Sequence, residues 1–386
     1  MTQSEQFIKK LLKTASITIN GENPWDIQVH DDRFYDCILR EGVLGFGESY
    51  MDGWWDVEQL DETVARIHRA HIEREVKKSK EAIWLVLRSK LINVTAHDRA
   101  FVVGQKHYDI GNELYDRMLD PDMNYTCGYW KDFKNFETAW KKPENLHKAQ
   151  LAKLDLVCRK LGLQKGMKVL EPGCGFGNFA YFAAKNYGVK IVGYTVSKEQ
   201  AVKARERCEG LSVEIRHDDY RNLKKEKFDR IVSIGMMEHV TYKNYAGFME
   251  LTDECLTDDG LMLIHTIGSN ESVITVDPWT EKYTFPNSHL PSIAQIGKAA
   301  EGKFIVEDLQ NFGPYYYPTL MAWDNNFKKS WNELQKINPE KYTERFYRMW
   351  EFYLLASAGG FKARSMQLYQ FVFSKSTQPE VYQAVR

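Results

Sequence analysis

Long apolar runs and clustered cysteines are both missing from this chain of 386 residues. Because no run reaches about 18 apolar residues, no segment is expected to span a membrane. The N-terminal MTQSEQFIKK lacks the apolar core of a signal peptide. The six cysteines form no C-x-x-C pair, so we predict no metal site, no disulfide framework and a reducing, cytoplasmic location. The net charge of -1 gives no reason to expect nucleic-acid binding.

Apolar residues are nevertheless plentiful, at 43% of the chain with 13% aromatics, which favours packed domains over disorder. The length exceeds one ordinary core, so two domains are expected. We place a smaller, mainly helical N-terminal domain at residues 1–90, a linker at 91–106 and a larger domain at 107–386.

Two stretches of the N-terminal domain are distinctive. Residues 44–57, LGFGESYMDGWWDV, combine glycines and aromatics and predict a compact loop. Residues 64–91 predict a helix with an apolar stripe. Many basic residues lie on its other faces, which makes Arg66 to Leu91 a basic amphipathic stretch. Such a helix can lie on an anionic bilayer, although an ordinary solvated helix has the same charge pattern.

The larger domain is organised around residues 167–177, MKVLEPGCGFG. An apolar run ends in Glu171 and is followed by Gly173, Gly175 and Gly177 at alternate positions. Strand, glycine turn and helix together predict a nucleotide-binding loop, because glycine lets the backbone approach a ligand closely. A tight turn in another kind of α/β domain is the alternative.

Further strands alternate with helices at residues 190–194, 213–216, 228–234 and 261–265. This alternation predicts an α/β fold with a doubly wound, mostly parallel sheet, in which ligands bind beyond the carboxyl ends of the strands. Polar residues occupy five such ends, namely Glu171, Thr195, Asp219, Glu238 and His265.

The order of several motifs resembles the cyclopropane fatty acid synthases and mycolic acid cyclopropane synthases. These motifs are NYTCGYW, the glycine loop, GYTVS, DDYR, GMMEHV, LIHTIGS and FPNSHLPS. The resemblance covers nearly the whole chain. It implies a Rossmann-like class I methyltransferase that uses S-adenosylmethionine to place a methylene group across a cis double bond of an unsaturated phospholipid acyl chain.

The resemblance also implies specific residues. A bound bicarbonate serves as the base in the family, and the residues that hold it match Cys127, Glu238, His265, Ile267 and Tyr316. Cys127 and Ile267 would contribute backbone groups. A nucleophilic Cys127 is the alternative, but no cationic residue adjoins it in sequence.

Cofactor binding is expected at the strand ends. The predicted residues are Tyr125, Thr126, Glu171, Gly173, Gly175, Thr195, Ser197, Gln200, Asp219 and Tyr220. Asp219 could instead be only a helix cap. Aromatic faces can stabilise a carbocation, and Tyr125, Tyr129, Trp130, Phe176, Tyr316 and Trp323 are candidates, with ordinary core packing as the alternative.

The C-terminal part carries candidate substrate residues. Residues 277–292 predict an ordered loop that could close over an acyl tunnel, and helices at 320–335 and 341–357 could line that tunnel or fill the core. Residues 304–310 and 367–374 predict strands that extend the sheet.

Three functions are compatible with these features. The leading one is cyclopropanation, the second leaves a methyl branch on the acyl chain, and the third is noncatalytic lipid binding. Because the acyl substrate lies in a bilayer, we expect a cytoplasmic enzyme bound peripherally to the inner face of the membrane, as a homodimer that gains avidity.

Overall fold

The structure, a computed structural model, describes residues 2–72, 111–223, 226–274, 277–375 and 381–386. The chain packs as two units, each made of separate segments. The first comprises Met1–Met118, Val276–Pro286 and Leu320–Ser365, and the second comprises Leu119–Thr275, Asn287–Thr319 and Met366–Arg386. The predicted domains were contiguous in sequence, whereas these units are not. The predicted linker 91–106 lies outside the described residues.

The described helices follow in chain order. They are α1 (Gln3–Thr14), α2 (Arg33–Glu41), α3 (Val43–Met51), α4 (Leu60–Arg69), α5 (Asn112–Met118), α6 (Phe136–Ala139), α7 (Pro143–Lys160), α8 (Asn178–Tyr187), α9 (Lys198–Arg207), α10 (Met237–Val240), α11 (Tyr245–Cys255), α12 (Pro278–Tyr283), α13 (Ile293–Ala300), α14 (Gly313–Ile337) and α15 (Glu344–Lys362). None of these described helices is long and apolar enough to cross a bilayer.

The described strands belong to two sheets. They are β1 (Gln28–Val29), β2 (Trp55–Asp56), β3 (Lys168–Pro172), β4 (Lys190–Thr195), β5 (Val213–His217), β6 (Phe228–Ile234), β7 (Leu256–Ser269), β8 (Phe304–Asn311) and β9 (Met366–Lys375). β1 and β2 form a small antiparallel pair in the first unit.

The first unit contradicts the loop predicted at residues 44–57, because α3 occupies most of that stretch. Its glycines serve close packing. A Cβ on Gly45 would lie 2.6 Å from the carbonyl oxygen of Cys37, and a Cβ on Gly47 would overlap the ring of Trp279. After the helix, the buried Trp55 donates from Nε1 to Ser49 Oγ at 3.0 Å. Tyr50 and Trp55 of this stretch are therefore core residues, whereas Phe46 and Trp54 are partly exposed.

The predicted loop at 277–292 also contains a helix. Asp277 caps α12, because its Oδ1 accepts a hydrogen bond from the Thr280 backbone N–H at 2.8 Å. Proline at the first helical position suits this start, since its missing N–H would have no partner there. Residues 276–286 belong to the first unit and residues 287–319 to the second.

The second unit contains the seven-stranded sheet, in the order β5-β4-β3-β6-β7-β9-β8. β3 to β7 are parallel, and β9 runs antiparallel between β7 and β8. This topology confirms the predicted doubly wound, mostly parallel sheet. Strand order reverses at β3 and β6, so the crevice between their carboxyl ends is the expected ligand position.

Candidate active site

A cavity of about 540 Å³ opens at the carboxyl ends of β3, β4 and β6 in the second unit. This volume falls in the usual range for a small-molecule site. Nine of the ten predicted cofactor residues line it, namely Tyr125, Thr126, Glu171, Gly173, Gly175, Thr195, Gln200, Asp219 and Tyr220. The tenth, Ser197, instead caps α9 by accepting a hydrogen bond from the Gln200 backbone N–H at 3.3 Å.

The glycine loop forms one wall of the cavity. Gly173 has φ +95° and Gly175 has φ +54°, a region that other residues rarely adopt. The N–H groups of Gly173 and Cys174 both donate to the Tyr194 carbonyl, at 2.9 and 2.8 Å, which ties the loop to β4. A Cβ on Gly175 would meet no atom within 4 Å. The loop backbone at Gly175 is thus open to a ligand.

Glu171 lies at the end of β3 beneath this loop. The side chain is buried, and its Oε2 has no hydrogen-bond partner in the described part of the chain. Burial raises the pKa of Glu171 to about 8, although the charge of Lys153 opposes the shift. Lys153 lines the same cavity and was missed by the sequence analysis.

The ends of β4 and β5 complete the cavity. Thr195 Oγ1 donates to Gln200 Oε1 at 2.9 Å, which fixes both side chains at the rim. Asp219 accepts a hydrogen bond from the Arg221 backbone N–H at 3.0 Å and caps a short 3-10 turn, Tyr220–Asn222. Asp219 therefore caps a turn and also lines the cavity.

Glu238 lies in α10, which follows β6, and His265 lies within β7, where it pairs in register with Ile234 of β6. The prediction of a strand end at His265 was wrong, because β7 continues to Ser269 in its pairing with β9. The Ile267 backbone N–H donates to Glu238 Oε1 at 2.6 Å, so two predicted base-site residues are in direct contact. Glu238 Oε2 and His265 Nε2 are buried and have no hydrogen-bond partner in the structure as described. Burial raises the pKa of Glu238 to about 7.

A glutamine that the sequence analysis missed orients the histidine. Gln370 is fully buried on β9, and its Nε2 lies 3.1 Å from His265 Nδ1. If the amide donates, Nδ1 is the acceptor and Nε2 carries the ring proton. Burial and the charges of Lys153 and Lys160 hold the pKa of His265 well below its usual value. The imidazole is therefore neutral.

The remaining base-site residues, Cys127 and Tyr316, are both buried. Thr319, on the same helix as Tyr316, accepts from the Gly128 backbone N–H at 3.1 Å. The Cys127 thiol donates to the Gly128 carbonyl at 3.3 Å. Burial raises the pKa of this thiol, which does not favour the nucleophilic alternative. None of the five base-site residues lines the cofactor cavity.

The aromatic candidates divide by position. Tyr125 and Phe176 line the cavity. Tyr129 is buried and stacks on Phe312, with ring centroids 5.1 Å apart, and Phe312 in turn meets the His265 ring edge-on at 5.9 Å. Trp130 donates from Nε1 to Thr319 Oγ1 at 2.9 Å, and Trp323 is fully buried within the first unit.

One signal could have revealed the missed Lys153. α7 buries polar residues at helical spacing along its apolar face, including Gln150, Lys153 and Lys160. A lysine at a position that periodicity assigns to the core requires a buried acceptor or anion. Residue 126 provides such acceptors: its carbonyl accepts from Gln150 at 2.6 Å, and its hydroxyl oxygen accepts from Lys153.

Comparison with known proteins places the chain in a family. Residues 95–371 match the family described as mycolic acid cyclopropane synthetase. A cyclopropane-fatty-acyl-phospholipid synthase of Escherichia coli K12 is 46% identical over 96% of this chain and 93% of that protein. A tuberculostearic acid methyltransferase of Mycobacterium tuberculosis is 31% identical over 89% and 81%, respectively.

A solved structure supports the same family. The mycolic acid cyclopropane synthase CmaA1, in complex with SAH and CTAB, has a TM-score of 0.60 at 29% identity and covers 72% of this chain and 98% of its own. The predicted class I methyltransferase fold is thereby confirmed. Because the family match and the Escherichia coli relative extend over most of the sequence, the chain belongs to the mycolic acid cyclopropane synthetase family of S-adenosylmethionine-dependent methyltransferases.

Proposed function

We propose that the protein adds a methylene group from S-adenosylmethionine to the cis double bond of unsaturated phospholipid acyl chains, forming a cyclopropane ring. The observation that carries this proposal is the 46% identity over 96% of the chain to a synthase with that activity in its name. Two features of the structure support it further. A cavity is present for the cofactor, and the buried acid Glu238 lies two residues after Met236, which lines that cavity.

The residues that line the cavity are suited to bind S-adenosylmethionine. Glu171 supplies an unpartnered carboxyl oxygen, and Gly175 leaves a space that a side chain would fill. Bound S-adenosylmethionine supplies an electrophilic methyl group. An alkene is a weak nucleophile, so the cavity must hold that group close and in line with the double bond. The buried aromatic residues exclude water while the acyl chain carries positive charge.

After the new C–C bond forms, the added methyl group must lose a proton so that the ring can close. We propose that bicarbonate serves as the base and is held by Glu238, His265 and Tyr316, with backbone groups of Cys127 and Ile267. Glu238 Oε2 and the N–H at His265 Nε2 support this assignment, because both are buried and unpartnered in the described chain. With its pKa raised to about 7, Glu238 holds a proton part of the time at neutral pH and can donate to an anion.

Substitution at the base site tests the bicarbonate assignment. Glu238→Gln and Tyr316→Phe should each lower turnover about 100-fold or more, the usual cost of one positioned catalytic group. S-adenosylmethionine affinity should change little. Glu250→Gln, on the exposed face of α11, is the matched control and should keep wild-type turnover. Wild-type rates in both active-site variants at limiting bicarbonate would exclude this base.

A methyl-branched product is the second candidate, favoured by the 31% identity to a tuberculostearic acid methyltransferase. Both products need the same cofactor site, so the product itself must be measured. Mass spectrometry of lipids from cells expressing the chain separates them, because a cyclopropane and a saturated methyl branch differ by two hydrogens. An unmodified lipid pool would instead support a noncatalytic lipid-binding protein.

We further propose that the predicted domain at residues 1–90 docks the predicted catalytic domain, 107–386, peripherally on the inner face of the membrane, within a homodimer. Basic residues near an anionic surface contribute about 1 kcal/mol each. Most of the helix predicted at residues 64–91 lies outside the described residues, and its described part belongs to α4, which ends at Arg69. Of its described part, Arg66 is engaged by Glu62 at 3.0 Å and lies 3.8 Å over the Trp25 ring. The docking charges are therefore expected beyond residue 72.

A charge reversal tests this docking. Changing Arg74, Lys77, Lys78 and Lys80 to Glu should reduce co-sedimentation with anionic vesicles by orders of magnitude and leave S-adenosylmethionine affinity unchanged. Reversal of four exposed lysines of the second unit is the control (Lys142, Lys165, Lys190 and Lys298). Equal losses in both variants would mean that net charge, and no specific helix, governs binding. Sedimentation equilibrium reports the oligomeric state.

A further inference from the structure

Lys153 is a buried cation on the wall of the cofactor cavity. Its side chain lies on α7 and is 1% exposed. The ammonium group donates to Thr126 Oγ1 at 2.8 Å. A lysine has three N–H donors, and Thr126 Oγ1 is the one acceptor that Nζ bonds in the described chain. Two donors are therefore available to a ligand.

A second lysine on the same helix shows what a buried ammonium normally requires. Lys160 lies two turns after Lys153, is fully buried, and pairs with Asp308 at 3.3 Å. Within the described ranges, Lys153 has no such ion pair. Burial lowers the pKa of Lys153 to about 8, so the group is mainly charged at neutral pH. The carboxyl groups of Asp120 and Glu171 act on Lys153 electrostatically, but neither forms an ion pair with it in the described chain. A buried ammonium group with unfilled hydrogen-bond donors is costly, which favours binding of an anion at this position.

The cavity offers a matching acceptor close by. Glu171, Lys153 and Thr126 all line it, and Glu171 Oε2 is unpartnered within the described chain. The methionine part of S-adenosylmethionine carries one carboxylate and one ammonium group. Lys153 can donate to the carboxylate of this zwitterion, and the free carboxyl oxygen of Glu171 can accept from its ammonium group, whose charge favours ionisation of the acid.

We propose that Lys153 binds the carboxylate of the methionine part of S-adenosylmethionine directly, as the cationic half of a zwitterion receptor completed by Glu171. The assignment deepens the cofactor site and does not depend on which lipid is modified or on the bicarbonate. It differs from a role at the base site because none of the base-site residues lines this cavity.

Two cofactor forms isolate the carboxylate. Calorimetry, in the absence of lipid, measures the Kd of S-adenosylmethionine and of decarboxylated S-adenosylmethionine. Lys153→Met should weaken S-adenosylmethionine binding roughly 10- to 100-fold, the usual cost of a lost hydrogen bond to a charged group. Affinity for the decarboxylated form should remain within about twofold, since that form has no carboxylate for Lys153 to bind.

Lys160→Met is the matched control, because it removes a buried ammonium from the same helix outside the cavity. It should lower thermal stability and preserve the preference for the carboxylated form. If Lys153→Met unfolds, the shorter, uncharged Lys153→Gln replaces it and should lose most of the same preference.

Two outcomes would overturn the proposal. Equal weakening of both cofactor forms would show that Lys153 only positions Thr126. Unchanged affinity for both cofactor forms would show that Lys153 contributes only to packing and stability of the core. Either result leaves the proposed lipid modification standing, because product analysis tests that separately.

Discussion

Gly175 offers the sharpest test of where the cofactor lies. Its φ of +54° is unfavourable for any residue with a Cβ, by about 1–2 kcal/mol. The space around an added Cβ is empty to 4 Å, so the folded protein has room for a side chain there. Gly175 is also one of the residues that line the cavity. Gly175→Val should therefore cost a small amount of stability and a larger amount of cofactor affinity.

The affinity loss follows from overpacking. Forcing extra side-chain atoms into a filled space typically costs about 1–3 kcal/mol, which corresponds to roughly 5- to 150-fold in Kd. Gly210 is a matched control, because it has φ +78°, the same empty surroundings and no place on the cavity wall. Gly210→Val should show a comparable stability loss and an unchanged Kd.

Calorimetric titration with S-adenosylhomocysteine gives the Kd, and thermal unfolding without ligand gives the stability of each variant. The reasoning fails if Gly175→Val and Gly210→Val bind equally well. It also fails if Gly175→Val alone loses its folded structure, because strain and not ligand exclusion would then account for the lost binding.

Three further perturbations test other parts of the molecule. Gly47→Ala should lower the melting temperature, because overlap with a buried tryptophan outweighs a helix-propensity gain of about 1 kcal/mol; Gly297→Ala, in α13 with open surroundings, should raise it. Asp308→Asn should lower the free energy of unfolding by about 3–5 kcal/mol, because it leaves the buried ammonium group of Lys160 without its ion-pair partner. Burial alone would raise the pKa of Asp308, but Arg386 and Lys160 lower it. In the wild type, the stability that Asp308 contributes should therefore be lost as the pH falls below about 4, which unfolding measured over a series of acid pH values would show. Gln370→Leu should slow turnover about tenfold without weakening cofactor binding, and histidine ¹⁵N shifts should report mixed tautomers.

Much of the cofactor site was predictable because it is local in sequence. Glu171, Thr195 and Asp219 each follow an apolar strand, and parallel topology brings such ends to one edge of a sheet. The glycine turn adds a distinctive spacing. Polarity, spacing and one topological rule were therefore sufficient to bring these strand-end residues together, whereas other predicted residues of the cavity, such as Gln200, came from the family resemblance.

Other features could not be predicted in this way. Glycines in α3 suggested a loop, because the tertiary reason for them, contact with Trp279, lies far along the chain. Helical spacing could have placed Lys153 on the buried face of α7, but it does not show that Thr126, 27 residues earlier, provides its hydrogen-bond acceptor. The contact between Gln370 and His265 joins strands 105 residues apart and has no local signal. Long-range pairing decided all three.

The antiparallel strand β9 also has a consequence for synthesis of the protein. It lies between β7 and β8 and hydrogen-bonds to both, yet it follows both of them in the chain and therefore leaves the ribosome after them. Until residues 366–375 emerge, β7 presents an open edge and β8 has no place in the sheet. Open edges invite pairing with other chains. The nascent protein therefore carries an incomplete sheet from the synthesis of β7 until β9 emerges, and chaperone binding should matter most in that interval.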